Sequence, residues 1–141
     1  MNISMRYFSI LVVVSFSIFS FKYEFWSEAS EASHSKIDTR AVSVLKGTIT
    51  HVRDGDTFEI NGIPVRISAL DCAENNTPEG KNITRFAKKF LGKQAVCELT
   101  GAKTYDRFVG YCSIAGKDFA FIMMSKTSCK LWAKYDVWDR Y

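Results

Sequence analysis

The stretch 53–74, RDGDTFEINGIPVRISALDCAE, puts five carboxylates and two arginines into 22 residues. Asp54, Asp56, Asp71 and Glu74 offer hard oxygen atoms, the donor type of a calcium ion, which takes about six to eight of them. Carboxylates gathered at one place repel one another, and a hard cation or an arginine is the usual relief. Two or three aspartates with a backbone carbonyl make an incomplete shell, leaving positions for water and a substrate oxygen. Arginine suits a phosphate because its planar fork of donors matches the oxygens two at a time. Arg66 and Arg107 are the candidates. Acids that hold a cation beside arginines that hold a phosphate are the two halves of a phosphodiesterase site, since the phosphoryl transition state spreads negative charge over its oxygens. Taken singly, each of these residues is structural more often than catalytic, because DG turns and ion pairs are ordinary. Their combination carries the signal.

Strands and a tight turn must position these groups. Residues 42–52, VSVLKGTITHV, have the β-branched content of a strand, with Gly47 as the expected bulge or bend. Phe58 and Ile60 alternate with Glu59, and Asn61-Gly62 is the dipeptide of a type I′ hairpin turn. Ile63, Val65 and Ile67 alternate with Pro64, Arg66 and Ser68, so Arg66 points away from the face the aliphatics bury. Pairing about the turn sets position 60 opposite 63, and therefore 56 near 67 and 54 near 69. The acids at 54 and 56 then approach the strand end that carries 71 and 74.

In residues 78–91, PEGKNITRFAKKFL, apolar side chains recur at helical spacing: Ile83, Phe86, Ala87, Phe90 and Leu91. Thr77 before Pro78 suits an N-cap with proline at the first helical position, and Gly92 supplies a left-handed stop. Lys88, Lys89 and Lys93 read as a solvated face at the helix C-terminus. Two more strands follow, 94–100 and 108–114. With a turn near Thr104–Tyr105, Cys97 and Cys112 face each other across an antiparallel pair, within disulfide range. Residues 118–126 are expected as a short helix, and 129–141 are aromatic but irregular. The fold class is therefore mainly β with helices (α+β). Five short strands, a helix after the third and a short C-terminal helix make a Greek-key barrel of OB type.

The chain of 141 residues has room for one domain. Residues 7–21 are an uncharged apolar run behind Arg6, short of the roughly 20 residues of a full span. Residues 1–30 are thus either a cleaved secretory signal or an uncleaved membrane anchor, and 31–40 a polar linker. The expected domain is 41–141, which holds 15 of the 19 basic and 11 of the 15 acidic residues, a net charge of +4. That balance is compatible with a polyanion without demanding one. The four cysteines, at 72, 97, 112 and 129, form no C-x-x-C pair, which argues against zinc and, in an exported chain, for disulfides. Whether Cys72 and Cys129 pair does not follow from the sequence.

The ordered set V-x-DGDT, G-x-P-V-R-I, D-x-x-E, a helix and Y-x-R-x-V-G-Y-C resembles the thermonuclease family of staphylococcal-nuclease-like domains, over about two thirds of the chain from Gly47 onward. The resemblance implies an OB-fold barrel and a calcium-dependent cleavage of DNA and RNA phosphodiesters. It implies Asp56, Asp71 and the Cys72 carbonyl as calcium ligands, with Asp54 in support. Glu74 corresponds to the general base, and Arg66 and Arg107 to the phosphate-binding arginines. Three departures stand out: Ala73 where proline is usual, Asp106 where glycine precedes the arginine, and no glycine in Ser125–Ser128 after the last helix. The competing expectations are an OB barrel that holds single-stranded nucleic acid without cutting it, and an exported partner-binding domain whose charges form an ion-pair network.

Overall fold

A computed structural model describes residues 37–141, so the signal or anchor segment 1–30 and most of the 31–40 linker lie outside the described residues. In chain order the elements are β1 (Ser43–Val52), β2 (Thr57–Ile60), β3 (Ile63–Ile67), β4 (Leu70–Asp71), α1 (Pro78–Ala87), β5 (Gln94–Thr104), β6 (Arg107–Ile114), β7 (Lys117–Asp118), α2 (Phe119–Lys126) and β8 (Lys130–Leu131).

β1, β2 and β3 form an antiparallel meander, and β5 returns along the other edge of β1. β6 pairs antiparallel with β5 and then parallel with β3, through Val65↔Phe108, Arg66↔Val109 and Ile67↔Gly110. That last pairing closes a five-stranded mixed barrel, the OB-type architecture, and leaves none of its five strands with a free edge. The alternating aliphatics Ile60, Val65 and Ile67 fill the interior with Phe58. Phe119 of α2 plugs one end, edge-on to Phe58 at 5.1 Å and to Phe90 at 5.4 Å.

The Asn61-Gly62 turn forms as its dipeptide demands, with φ of 50° and 80° and Ile60 opposite Ile63. Gly47 has a different role from the one expected. The bulge in β1 lies between Ile49 and His51, while a Cβ on Gly47 would overlap the Asn61 side chain. Asn61 needs that space because its Oδ1 accepts the Thr48 N–H at 3.0 Å.

The expected helix 78–91 is α-helical to Ala87 and continues as a 3-10 turn over Lys88–Phe90, with Gly92 left-handed at φ 78°. Strand β5 runs to Thr104, beyond the expected end, and Tyr105 turns the chain at φ 55°. Cys97 and Cys112 face each other in that register and are bridged. A second disulfide joins Cys72 to Cys129. Disulfides persist in oxidising surroundings. Among the described residues no helix is long and apolar enough to cross a membrane.

The segment after Cys129 is tied down more firmly than its irregular sequence suggests. The buried Tyr111 hydroxyl donates to Asp136 Oδ1 at 2.8 Å, and the Trp138 ring stacks on Tyr111 at 4.7 Å. Burial pushes the Asp136 carboxyl up, but bonds from the backbone N–H groups of Arg140 and Tyr141 and from the Tyr111 hydroxyl outweigh it, leaving its pKa below the ordinary value.

Candidate active site

The DGDT turn, the β3–β4 exit and the start of β6 meet at a cleft of about 720 Å³. Asp54, Asp56, Arg66, Asp71, Glu74 and Arg107 all line it. Six side chains from three separated stretches of sequence thus share one hollow. Cys72 does not line it, and Cys97 and Cys112 lie in the β5–β6 ladder.

Each group is set by a local cause. The Asp54 side chain accepts the Asp56 N–H at 3.1 Å, an Asx-type turn that aims Asp56 inward. Asp56 is 7% exposed, and its Oδ1 accepts the Thr57 hydroxyl at 3.0 Å. The other oxygen meets Arg66 Nη2 at 3.1 Å and the Cys72 N–H at 3.4 Å. Burial pushes the Asp56 carboxyl up to about 7; Arg66 pulls against that rise and the Asp54 charge adds to it.

Arg66 stands opposite Thr57, outside the barrel as the alternation predicts. Its Nη1 donates to the carbonyls of Ile67 at 3.0 Å and Leu70 at 2.7 Å, which holds the chain where β3 gives way to β4. Arg107 donates from Nη1 to Thr57 Oγ1 at 3.1 Å and from Nε to the Thr104 carbonyl at 3.4 Å. Thr57 thereby links Arg107 to Asp56, which Arg66 reaches directly, a role that its place in the DGDT motif could have signalled.

Asp106 does not turn to Arg107. Its carboxylate pairs with Arg53 at 2.8 Å, and Arg53 also holds Glu59 at 2.9 Å. The Arg53 side-chain bond holds the Asp106 carboxyl below its ordinary range. The fork of Arg107 stays clear of this neighbour.

Asp71 and Glu74 are exposed, and neither enters an ion pair among the described residues. The Glu74 backbone is held where the usual proline is missing. Its carbonyl accepts the Thr77 N–H at 3.0 Å and the Thr77 hydroxyl at 2.9 Å, while Thr77 Oγ1 caps the Gly80 N–H at 3.0 Å. Gly80 is needed at that place, because a Cβ there would overlap the Glu74 carbonyl.

Asp54, Asp56 and Asp71 are the oxygen donors that could take a cation. Among the described residues no three such side chains are grouped as a ready-made shell. The far wall carries residues that periodicity could not place: Lys103 and Thr104 of β5, and Trp132, Tyr135 and Val137 of the final segment. Trp132 and Tyr135 pack edge to face at 4.5 Å, and both remain more than two fifths exposed at 43% and 44%.

A scan against protein-family models finds none that matches this chain, and a search of curated proteins finds no match either.

Proposed function

We propose that this cleft is the active site of an exported, calcium-dependent nuclease that hydrolyses phosphodiester bonds of DNA, RNA or both. One observation carries the reading: the acids at 54, 56, 71 and 74 and the arginines at 66 and 107 line a single hollow. Its polar lining includes every side chain that the thermonuclease resemblance calls for.

The donor chemistry fits a hard divalent cation. All three aspartates present oxygen to the cleft, and Asp56 is a buried carboxyl with Arg66 at 3.1 Å. Asp56 and Asp71 would hold the ion, with Asp54 in support and the Cys72 carbonyl adjoining. When bound, calcium supplies charge that stabilises the phosphoryl oxygens as negative charge builds on them.

The chain's own residues do the rest. Glu74 is exposed and has no ion-pair partner among the described residues, so it is placed to take the proton of the attacking water. Arg107 presents its fork to a non-bridging phosphate oxygen, braced from behind by Thr57 and the Thr104 carbonyl. Arg66 exchanges partners: it gives up Asp56 and turns Nη2 to the phosphate, while Nη1 keeps its hold on the Ile67 and Leu70 carbonyls. Water attacks in line as Glu74 takes its proton, the P–O5′ bond breaks, and the departing 5′-oxygen picks up a proton from solvent. The thermonuclease resemblance implies that the phosphate stays on the 3′ side.

Supercoiled plasmid incubated with calcium or with chelator tests this directly. Nicking and linearisation with calcium alone is the expected result, and intact plasmid in both tubes overturns it. A second reading, a non-cutting OB module for single-stranded nucleic acid, is favoured by the Arg66–Asp56 pair, which already occupies a cation's place. The exposed Trp132 and Tyr135 rings beside the cleft are stacking surfaces of the kind such modules use. Bound but uncut single strands, with and without calcium, mark that outcome.

A further inference from the structure

We propose that the Cys72–Cys129 disulfide is a positioning element of the cleft. It holds the segment that carries Asp71 and Glu74 against the Asp54–Asp56 turn, so that breaking it disables the acidic wall while the barrel stays folded. This inference rests on the nuclease reading for its catalytic consequence, though not for its structural one.

The attachment of that segment is thin. Among the described residues β4 pairs only with β8, through Leu70↔Leu131 and Asp71↔Lys130, in a two-stranded sheet separate from the barrel. A ladder of two residue pairs has little stability of its own. Cys72 follows the last residue of β4 and Cys129 precedes the first of β8, with Cα atoms 4.4 Å apart, so the bridge closes the ladder at one end. It spans 57 residues of sequence and joins elements that share no barrel strand.

The bridge also touches the opposite acids. A Cβ placed on Gly55 would lie 2.9 Å from both Cβ and Sγ of Cys72. The DGDT turn therefore rests directly on the cystine, and glycine is the residue that permits it. One covalent link thus carries Asp71 on its N-terminal side, Glu74 two residues beyond it, and the Asp54–Asp56 turn on its back.

The second disulfide provides the contrast. Cys97–Cys112 links neighbouring strands already joined over seven residue pairs, and spans 15 residues. Its loss removes a constraint on the barrel without moving a cleft residue.

The test compares Cys72→Ser/Cys129→Ser with Cys97→Ser/Cys112→Ser in the full chain, using calcium-dependent plasmid cutting, the calcium concentration for half-maximal rate, and amide exchange. In the 72/129 variant kcat is expected to fall by about 10²-fold, the scale of an ångström-sized misplacement, and half-maximal rate to need more calcium. Amides of residues 54–57 and 70–75 should exchange faster, while those of β1, β5 and β6 keep their protection. The 97/112 variant should melt at a lower temperature and keep its kcat. Unchanged kcat, calcium requirement and exchange in the 72/129 variant overturn the proposal. If the wild type does not cut at all, the nuclease reading fails, and the exchange pattern alone then decides whether the bridge positions the segment. Should the serine pair fail to fold, Cys72→Ala/Cys129→Val, which preserves apolar packing at the half-buried and buried ends, takes its place under the same criteria.

Discussion

Arg66 and Arg107 stand on β3 and β6, the two strands whose parallel pairing closes the barrel, whereas Asp71 and Glu74 stand on a segment that has left it. The arginine wall is rooted in the main sheet, since the backbones of Arg66 and Arg107 belong to strands that close the barrel. The acid wall is placed by a two-residue ladder, a disulfide and the capping of α1. The exposed acids and the arginines thus depend on largely different parts of the fold, joined where Arg66 holds Asp56 and the Leu70 carbonyl. Asp56 sits between them, hydrogen-bonded to Thr57 and paired with Arg66.

The largest effects are expected at the reacting groups themselves. Glu74→Gln and Arg107→Ala should each slow plasmid cleavage by about 10²-fold or more, the usual scale for a general base or a charge-stabilising donor. Melting temperature should hardly change for Glu74→Gln, whose side chain is exposed and unpaired. Full activity in either variant removes that residue from its role. On the barrel side, Tyr111→Phe leaves the buried Asp136 oxygen without its hydroxyl and the Trp138 N–H without its acceptor. A loss of about 1–3 kcal/mol is expected from denaturant unfolding, with kcat per folded molecule nearly kept.

On the acid side, Thr77→Ala removes both the helix cap and the hydroxyl bond to the Glu74 carbonyl. Stability should drop by only about 1 kcal/mol, while cutting slows by more than that loss explains; unchanged kcat would mean the cap has no part in aiming Glu74. The smallest effect concerns pH. Asp136 is held below its ordinary pKa, so the folded state binds fewer protons there than the unfolded state does. Its contribution is complete above the unfolded value of about 4 and is lost as pH falls through the folded value. Melting curves of wild type and Asp136→Asn should therefore differ at neutral pH and converge below that point.

Much of the barrel was legible because its signals are local. Alternation marked β2 and β3, Asn61-Gly62 named its own turn, and the register it imposed brought the acids at 54 and 56 toward the exit of β3. The Cys97–Cys112 bridge followed from the same kind of counting across one turn. The signals that failed are long-range or depend on a choice of partner. Nothing local joins Cys72 to Cys129, since they lie on segments outside the barrel whose pairing is one short ladder. Gly47 was assigned to the bulge because glycine in a strand has two common causes, and the space Asn61 needs is visible only once the hairpin folds back. Asp106 is a neighbour of Arg107 in sequence, but its partner is Arg53, just beyond the end of β1. Trp132 and Tyr135 follow no period because the wall they form is made by a 3-10 turn.

The segment after α2 supplies Cys129, the partner strand of β4, the Trp132–Tyr135 wall and the Asp136 anchor. A nascent chain synthesised only as far as α2 already contains every acid and both arginines of the cleft, yet lacks Cys129 and β8, the covalent and ladder partners of the segment that carries Asp71. On the nuclease reading, cutting ability arrives only when residues 129–138 have been made and the thiols at 72 and 129 have been oxidised. On that reading the protein is exported, and the ribosome and its messages are out of reach by then.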